Sequence, residues 1–387
     1  MSTHLAAVSL AKGESFTIQP RLTPKPGPGE LLIAVKSIAL NPADTQMRNH
    51  GLFIPTYPTV IGFDIAGLVL EVGENVPVSR TDGLETPGLF FQAGITRVAA
   101  YCVTVWKSCD PNYGAFQEKC LVPWQHAVPL PDEGISWNEA ATLPVAVQVP
   151  LSAWDALGIP RVGEAVDQVS ADANDGSQQN VRKKKREALL IWGASSSVGT
   201  MGVQTARVQR EDRGSSIGAV YATASAKNHG YVRSLGADRV FDYKDPQVVN
   251  AIVSAARTEG LVIRHCFLAT GEISLCQAVL KAFLRDEQGE QKAEARIASA
   301  PVIPPDTKIV EGVETIFVTP SMENEERRLT QFRYWIGTWL RENLGNGNIR
   351  PSPEPRVVGK GVEAINVGLD ELTKGVSCVK LVVEIAG

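Results

Sequence analysis

Residues 188–199 read Ala-Leu-Leu-Ile-Trp-Gly-Ala-Ser-Ser-Ser-Val-Gly, an apolar run that breaks into a turn of small residues. A strand entering such a turn and then a helix is the local build that receives a dinucleotide pyrophosphate. The first N–H groups of a helix have no intrahelical partner and carry partial positive charge, and a turn without bulky side chains lets phosphate oxygens reach them. Gly193 and Gly199 fit the tight turn and the close approach, and Ser195, Ser196, Ser197 and Val198 complete the candidate cradle. The dinucleotide fingerprint expects glycine at the middle position, where this chain has serine, so the same residues also describe a strand-turn-helix packed tightly for its own sake.

A second chemical signal lies about one strand further on, in Tyr221-Ala222-Thr223-Ala224-Ser225-Ala226-Lys227. An acidic residue at the end of this strand would hydrogen-bond the ribose 2′-hydroxyl of NAD. None is present, and the Ser225 hydroxyl with the Lys227 ammonium suits a 2′-phosphate, so NADPH is the expected cofactor; Lys227 read alone is equally a solvated helix-start lysine.

The elements that must position these groups follow from length and pattern. At 387 residues, with 44% hydrophobic and 21% charged residues, the chain can build two cores. A net charge of -4 gives no general attraction to nucleic acid or anionic membranes. No apolar run reaches the ~20 residues that span a bilayer, and the N-terminus lacks the build of a secretory signal, so a cytoplasmic protein is expected. The six cysteines are scattered, which suits free thiols better than a disulfide framework or a zinc ribbon.

Residues 1–136 carry short β-type runs (31–35, 65–72, 97–103 and 116–122) between Gly/Pro-rich turns and predict an irregular β domain. From 137 to 319 strands and helices alternate: strands at 188–192, 217–223, 239–242, 261–267, near 296–303 and at 313–318, with helices at 198–210, 227–235, 246–257 and 273–284. Six strands in βα alternation predict a doubly wound parallel sheet, an α/β fold. Residues 165–187 are polar and predict a surface loop carrying the basic cluster Lys183–Arg186, and 285–295 form a second polar insertion. Residues 320–387 hold a helix at 325–343 and the strand 380–385, and their composition predicts a return to the first domain.

In this order the motifs resemble the medium-chain dehydrogenase/reductase superfamily, in its quinone-reductase and enoyl-reductase branch. The resemblance rests on Leu40-Asn41-Pro42-Ala43-Asp44, Ile61-Gly62-Phe63-Asp64-Ile65-Ala66-Gly67, Glu139-Ala140-Ala141-Thr142-Leu143-Pro144, Leu235-Gly236-Ala237-Asp238 and Lys380-Leu381-Val382-Val383, and it spans nearly the whole chain. It implies a GroES-like β domain joined to the Rossmann sheet. The turn Ser195-Ser196-Ser197 is most similar to that of fungal reductases of polyketide and related secondary-metabolite pathways, including trans-acting enoyl reductases.

Alcohol-dehydrogenase members of the superfamily hold a catalytic zinc with a cysteine near position 41 and a histidine near 63. Here Asn41 and Phe63 occupy those places, and neither an amide nor a phenyl ring is a good zinc ligand. Without a Lewis acid, the expected chemistry shifts from alcohol oxidation to hydride addition to a carbonyl-conjugated C=C bond.

The resemblance implies further roles. Asn41 faces the nicotinamide, its amide orienting a substrate carbonyl, while Asp44 either lines the site or caps a helix. Tyr57 lies in the region of a proton-donating tyrosine, though solvent can give the same proton and a tyrosine between prolines also packs against loops. Tyr243 contacts the 2′-phosphate. Lys380 meets a phosphate or a surface carboxylate. The expected partner is a small-molecule substrate, free or as a carrier- or synthase-bound polyketide, and the expected state is a monomer or homodimer. Quinone oxidoreduction, and NADPH binding in a structural or regulatory role without turnover, are the alternatives.

Overall fold

The computed structural model describes residues 2–78, 90–131, 133–162, 186–284 and 294–385. Most of the expected polar loop 165–187, with its basic cluster, and most of the insertion 285–295 lie outside the described residues. The chain divides into two compact units, one of Met1–Gln148 with Ser321–Gly387 and one of Val149–Pro320.

The second unit is built on six parallel strands in the spatial order Arg239–Phe241, Ile217–Thr223, Glu187–Trp192, His265–Leu268, Ala295–Ser299, Val313–Phe317. In sequence terms this is 3-2-1-4-5-6, the doubly wound order, which reverses direction at Glu187–Trp192. That strand is buried from Ala188 to Trp192, as a parallel strand covered on both faces must be. Along Val248–Thr258 the helix buries one stripe: Val248, Ile252 and Ala256 recur every fourth residue and pack on the core that also takes Cys276, Val279 and Leu280 of the helix Ile273–Lys281. The apolar run expected as a strand at 261–267 pairs in the ladder only from His265, with a single bridge at Val262 before it.

The first unit holds a seven-stranded sheet whose path runs Pro355–Lys360, Lys380–Glu384, Glu30–Ala39, Asp64–Val72, Arg97–Tyr101, Ala127–Pro129, with Lys119–Pro123 paired to the first half of Glu30–Ala39. Two of its strands thus come from the end of the chain, and Lys380–Glu384 pairs directly with Glu30–Ala39. The helix Trp137–Ala141 packs on Glu30–Ala39 and Asp64–Val72, so residues 137–148 lie with this unit, whereas composition places the change at 136. The hairpin Thr3–Val8/Thr17–Leu22 and the helix Ala364–Thr373 have no counterpart among the elements expected from the sequence.

The region expected as one helix at 325–343 is Glu325–Phe332, then a π-helical stretch Arg333–Leu340, then Arg341–Gly345. Its aromatic side chains pin the returning segment to the first part of the chain. Phe332 stacks on His126 with ring centroids 3.7 Å apart and meets Tyr101 edge-on at 4.9 Å and Trp106 at 5.7 Å. Burial holds the His126 imidazole well below its ordinary pKa, so a neutral ring stacks there. Phe332→Ala is expected to destabilise the protein by about 3–5 kcal/mol, because it empties a fully buried aromatic site shared by both segments. Chemical denaturation checks this; a loss under about 1 kcal/mol would show that the return is held elsewhere.

Candidate functional site

In the second unit the cradle takes its shape from two glycines. Gly193 has φ +78°, and a Cβ there would lie 2.6 Å from both Cγ2 and the carbonyl oxygen of Thr270. At Gly199 a Cβ would lie 2.3 Å from the Gly193 carbonyl oxygen, so the helix can start against the turn only with glycine at both places. The buried Thr223, at the end of the neighbouring strand, clamps the turn: its Oγ1 accepts from Gly193 N at 3.0 Å and its carbonyl from Ala194 N at 2.8 Å.

Ser196 is the N-cap of the helix Ser197–Glu211, and its Oγ accepts from Gly199 N at 3.1 Å. This explains serine at the middle of the fingerprint, since the hydroxyl satisfies one of the N–H groups that glycine would leave bare. The first-turn N–H groups of Ser197 and Val198 remain beyond the reach of intrahelical bonding, and Ser195 to Val198 stay half-exposed. The Ser197 hydroxyl is buried with no partner. Two glycines without room for Cβ, uncapped N–H groups and an orphaned hydroxyl together fit a dinucleotide pyrophosphate.

Register carries the remaining cofactor candidates to the same edge. Leu190 lies beside Tyr221, Tyr221 beside Arg239 and Thr223 beside Phe241, so the three strands end level. Ser225, Lys227 and Tyr243 all follow those ends. Ser225 Oγ accepts from Asn228 Nδ2 at 3.3 Å, Lys227 is exposed, and Tyr243 is 43% exposed.

In the first unit, register again gathers the polar residues. Val382 opposes Ala39 and Ala39 opposes Asp64, which opposes Tyr101. Two residues beyond Val382, Lys380 therefore falls beside Asn41, and the ends of three strands place Lys380, Asn41 and Asp64 together. Lys380 Nζ donates to Asn41 Oδ1 at 2.5 Å and to Asp64 Oδ2 at 3.2 Å. Asn41 Nδ2 donates to Asp64 Oδ2 at 3.0 Å and to the Ala39 carbonyl at 3.3 Å, and Asp64 Oδ1 accepts from Val145 N at 2.8 Å. The ammonium must face an oxygen, which settles which way the Asn41 amide points.

Asn41 thus spends its oxygen and both amide hydrogens inside the protein, and the expected amide donor to a substrate carbonyl is already engaged. Lys380 is 3% exposed and meets neither a phosphate nor a surface carboxylate, as expected from sequence, but the fully buried Asp64. Burial raises the Asp64 carboxyl above its ordinary range, and the Lys380 ammonium pulls it back. Asp44 lies in the first turn of the helix Pro42–His50, where Oδ2 accepts from Asn41 N at 2.7 Å while Oδ1 is buried with no partner. Burial pushes its carboxyl up to about 7, against the Asn41 N–H and Lys380.

Tyr57 is not gathered into this cluster. Its hydroxyl is buried without a partner and lies 3.1 Å from where a Gly51 Cβ would stand, at the C-cap of the helix whose N-cap is Asn41. Nine helical residues separate those ends by roughly 13 Å. Asp64 and Thr223, which sequence reasoning passed over as site residues, are both fully buried polar groups. An acid heading a strand that is otherwise uncharged up to Leu70 was the available signal for Asp64.

The donor set does not fit a catalytic zinc. Asn41 faces an ammonium, Phe63 packs its ring 5.7 Å from that of Tyr101, and no group of three or more His, Cys, Asp or Glu side chains among the described residues is arranged to hold a metal ion.

A doubly wound sheet with a phosphate cradle in one unit, and in the other a β unit completed by the chain's own return, define an oxidoreductase of the medium-chain dehydrogenase/reductase class, whose fold implies a nicotinamide cofactor. Residues 27–132 match the alcohol dehydrogenase GroES-like domain. The chain is 35% identical over 384 residues to the trans-enoyl reductase tndF of Aspergillus flavipes, covering 98% of each, and 36% identical over 335 residues to the trans-enoyl reductase tazE of Aspergillus terreus, covering 85% of this chain and 97% of the relative. The crystal structure of CurK enoyl reductase superposes with a TM-score of 0.69 at 17% identity, covering 100% of both chains. The chain belongs to the medium-chain dehydrogenase/reductase superfamily, in the family of these fungal trans-enoyl reductases. No helix among the described residues is long and apolar enough to cross a membrane.

Two measurements test this geometry. Ser196→Ala should cost about 1 kcal/mol through loss of the cap and Ser196→Gly only a few tenths, the latter leaving NADPH affinity similar or tighter; a large loss of affinity in Ser196→Gly would mean that the hydroxyl contacts phosphate. Because Asp44 binds its proton more tightly folded than unfolded, its ionisation costs stability as pH rises from about 4 to about 7. Asp44→Asn should flatten the stability profile over that window, and an unchanged profile would place the titration on another group.

Proposed function

We propose that this protein is an NADPH-dependent reductase that saturates a carbonyl-conjugated C=C bond without zinc, acting on an acyl chain carried as a thioester in secondary-metabolite assembly. The observation that carries the reading is likeness over the whole chain to relatives named trans-enoyl reductases. When bound, the nicotinamide supplies a hydride, which adds at the carbon β to the carbonyl while a proton reaches the α carbon.

The chain's own residues supply placement and charge. The backbone of 193–199 receives the pyrophosphate, with Ser196 holding the helix start so that Ser197 and Val198 present their N–H groups. The preference for NADPH is supported by Ser225, Lys227 and Tyr243 at level strand ends and by the lack of an acidic side chain between Thr223 and Lys227. Zinc independence is supported by the donor set: an amide at 41 and a phenyl ring at 63, with Lys380 against the amide oxygen.

NADPH oxidation measured against a panel of enoyl thioesters, enones and quinones tests the reading. Turnover with an enoyl thioester is expected; oxidation by quinones alone would make the protein a quinone reductase, and cofactor binding without any turnover would leave it a binding protein. Lys227→Ala should raise KM for NADPH about tenfold while leaving KM for NADH unchanged, and an equal effect on both would remove the lysine from phosphate recognition.

A further inference from the structure

The buried cluster at the sheet end of the first unit has the composition of a cation site rather than of an ordinary ion pair. It offers an amide oxygen from Asn41 and a carboxylate oxygen from Asp64, and both point at one atom, Lys380 Nζ, at 2.5 and 3.2 Å. Asp44 stands in the same field, close enough for Asp64 and Lys380 both to shift its carboxyl, and its Oδ1 is fully buried with no partner of its own. Oxygen-only donors with excess negative charge are what hard cations take. An ammonium is a compact charge with the same demand for oxygen acceptors, and here it arrives on the strand that ends beside Asn41.

We propose that the Lys380 side chain is the resident cation of an acidic site formed by Asn41 and Asp64 with Asp44 alongside, tethered by the polypeptide itself, and that its ammonium keeps metal ions out. The inference rests on the zinc-free reading of the site, yet its consequences appear in stability and ion binding rather than in turnover. Failure of the reductase reading and failure of this one are therefore distinguishable.

Two properties follow from a tethered cation. Shortening Lys380 should leave the Asp64 carboxylate and the Asn41 amide oxygen facing a hole of ammonium size, with the buried Asp44 carboxyl in the same field, and a diffusible cation should fill it. Replacing Lys380 by a neutral side chain of similar length should leave the carboxyls uncompensated but no hole to fill.

Lys380→Ala should melt roughly 5–10 °C below the parent protein. Millimolar ethylammonium chloride or Mn²⁺ should restore at least half of that loss, whereas tetramethylammonium at equal ionic strength should not. Mn²⁺ should bind Lys380→Ala with one site at least about tenfold more tightly than it binds the parent, and the added change Asp64→Asn should abolish that site. Lys380→Met should be destabilised like Lys380→Ala but rescued by neither cation. An undiminished melting temperature in Lys380→Ala, absence of rescue, or equal Mn²⁺ binding by parent and variant would overturn the proposal. Should Lys380→Ala not accumulate as folded protein, Lys380→Met with and without Asp64→Asn decides: recovery of melting temperature on neutralising Asp64 supports the pairing, and no recovery overturns it.

Discussion

Lys380 and Asp64 are 3% and 0% exposed, so neither charge has water to fall back on, and each holds its place only because the other does. The pair joins the last strand of the chain to the strand Asp64–Val72 across Glu30–Ala39, and the Asn41 amide closes the triangle. Two neighbouring segments and the distant end of the chain are thereby fixed in one register at the end of the sheet where the helix Pro42–His50 begins. The same demand fixes the Asn41 rotamer, since an amide between an ammonium and a carboxylate has one orientation that satisfies both. It also leaves Asp44 as the carboxyl without a full set of partners, and hence the one whose proton is held near neutrality.

In the second unit the corresponding constraint is steric. Gly193 and Gly199 leave no room for a Cβ, Thr223 ties the turn to the neighbouring strand, and Ser196 caps the helix without lengthening the loop. Cofactor class therefore follows from backbone geometry, and the proposed preference for NADPH rests on side chains beyond the level ends of two further strands. This division explains how a serine can replace the expected glycine without loss of the fold. The N-cap position prefers a hydroxyl, and the positions where a Cβ would collide keep glycine.

The Rossmann unit was legible because its central strands, such as Ala188–Trp192, are apolar runs and strands alternate with helices, one of which keeps a clear stripe at Val248, Ile252 and Ala256. The tight fit at Gly193 and Gly199 is local to the helix start, whereas the sequence marks Ser196 only as a departure from the expected glycine and its capping of Gly199 N appears in the structure. Asn41 was found by resemblance, but its committed amide could not be, because the partner that commits it lies 339 residues away. Lys380 stood open between a phosphate and a surface carboxylate, because the acid that it meets lies 316 residues away. Tyr57 was singled out by resemblance to the region of a proton-donating tyrosine, whereas the helix Pro42–His50 carries its surroundings away from Asn41. The π-helical stretch Arg333–Leu340 has no sequence period that separates it from the helix before it.

In the proposed reaction, hydride passes from NADPH to a conjugated double bond without a metal ion. The most direct measurement is a single turnover of chelator-treated protein with an α,β-unsaturated thioester and NADPH carrying deuterium at the transferable position. The account expects one deuterium at the β carbon of the saturated product, at a rate unchanged by added zinc. No deuterium in the product, or transfer only after zinc is restored, would contradict it.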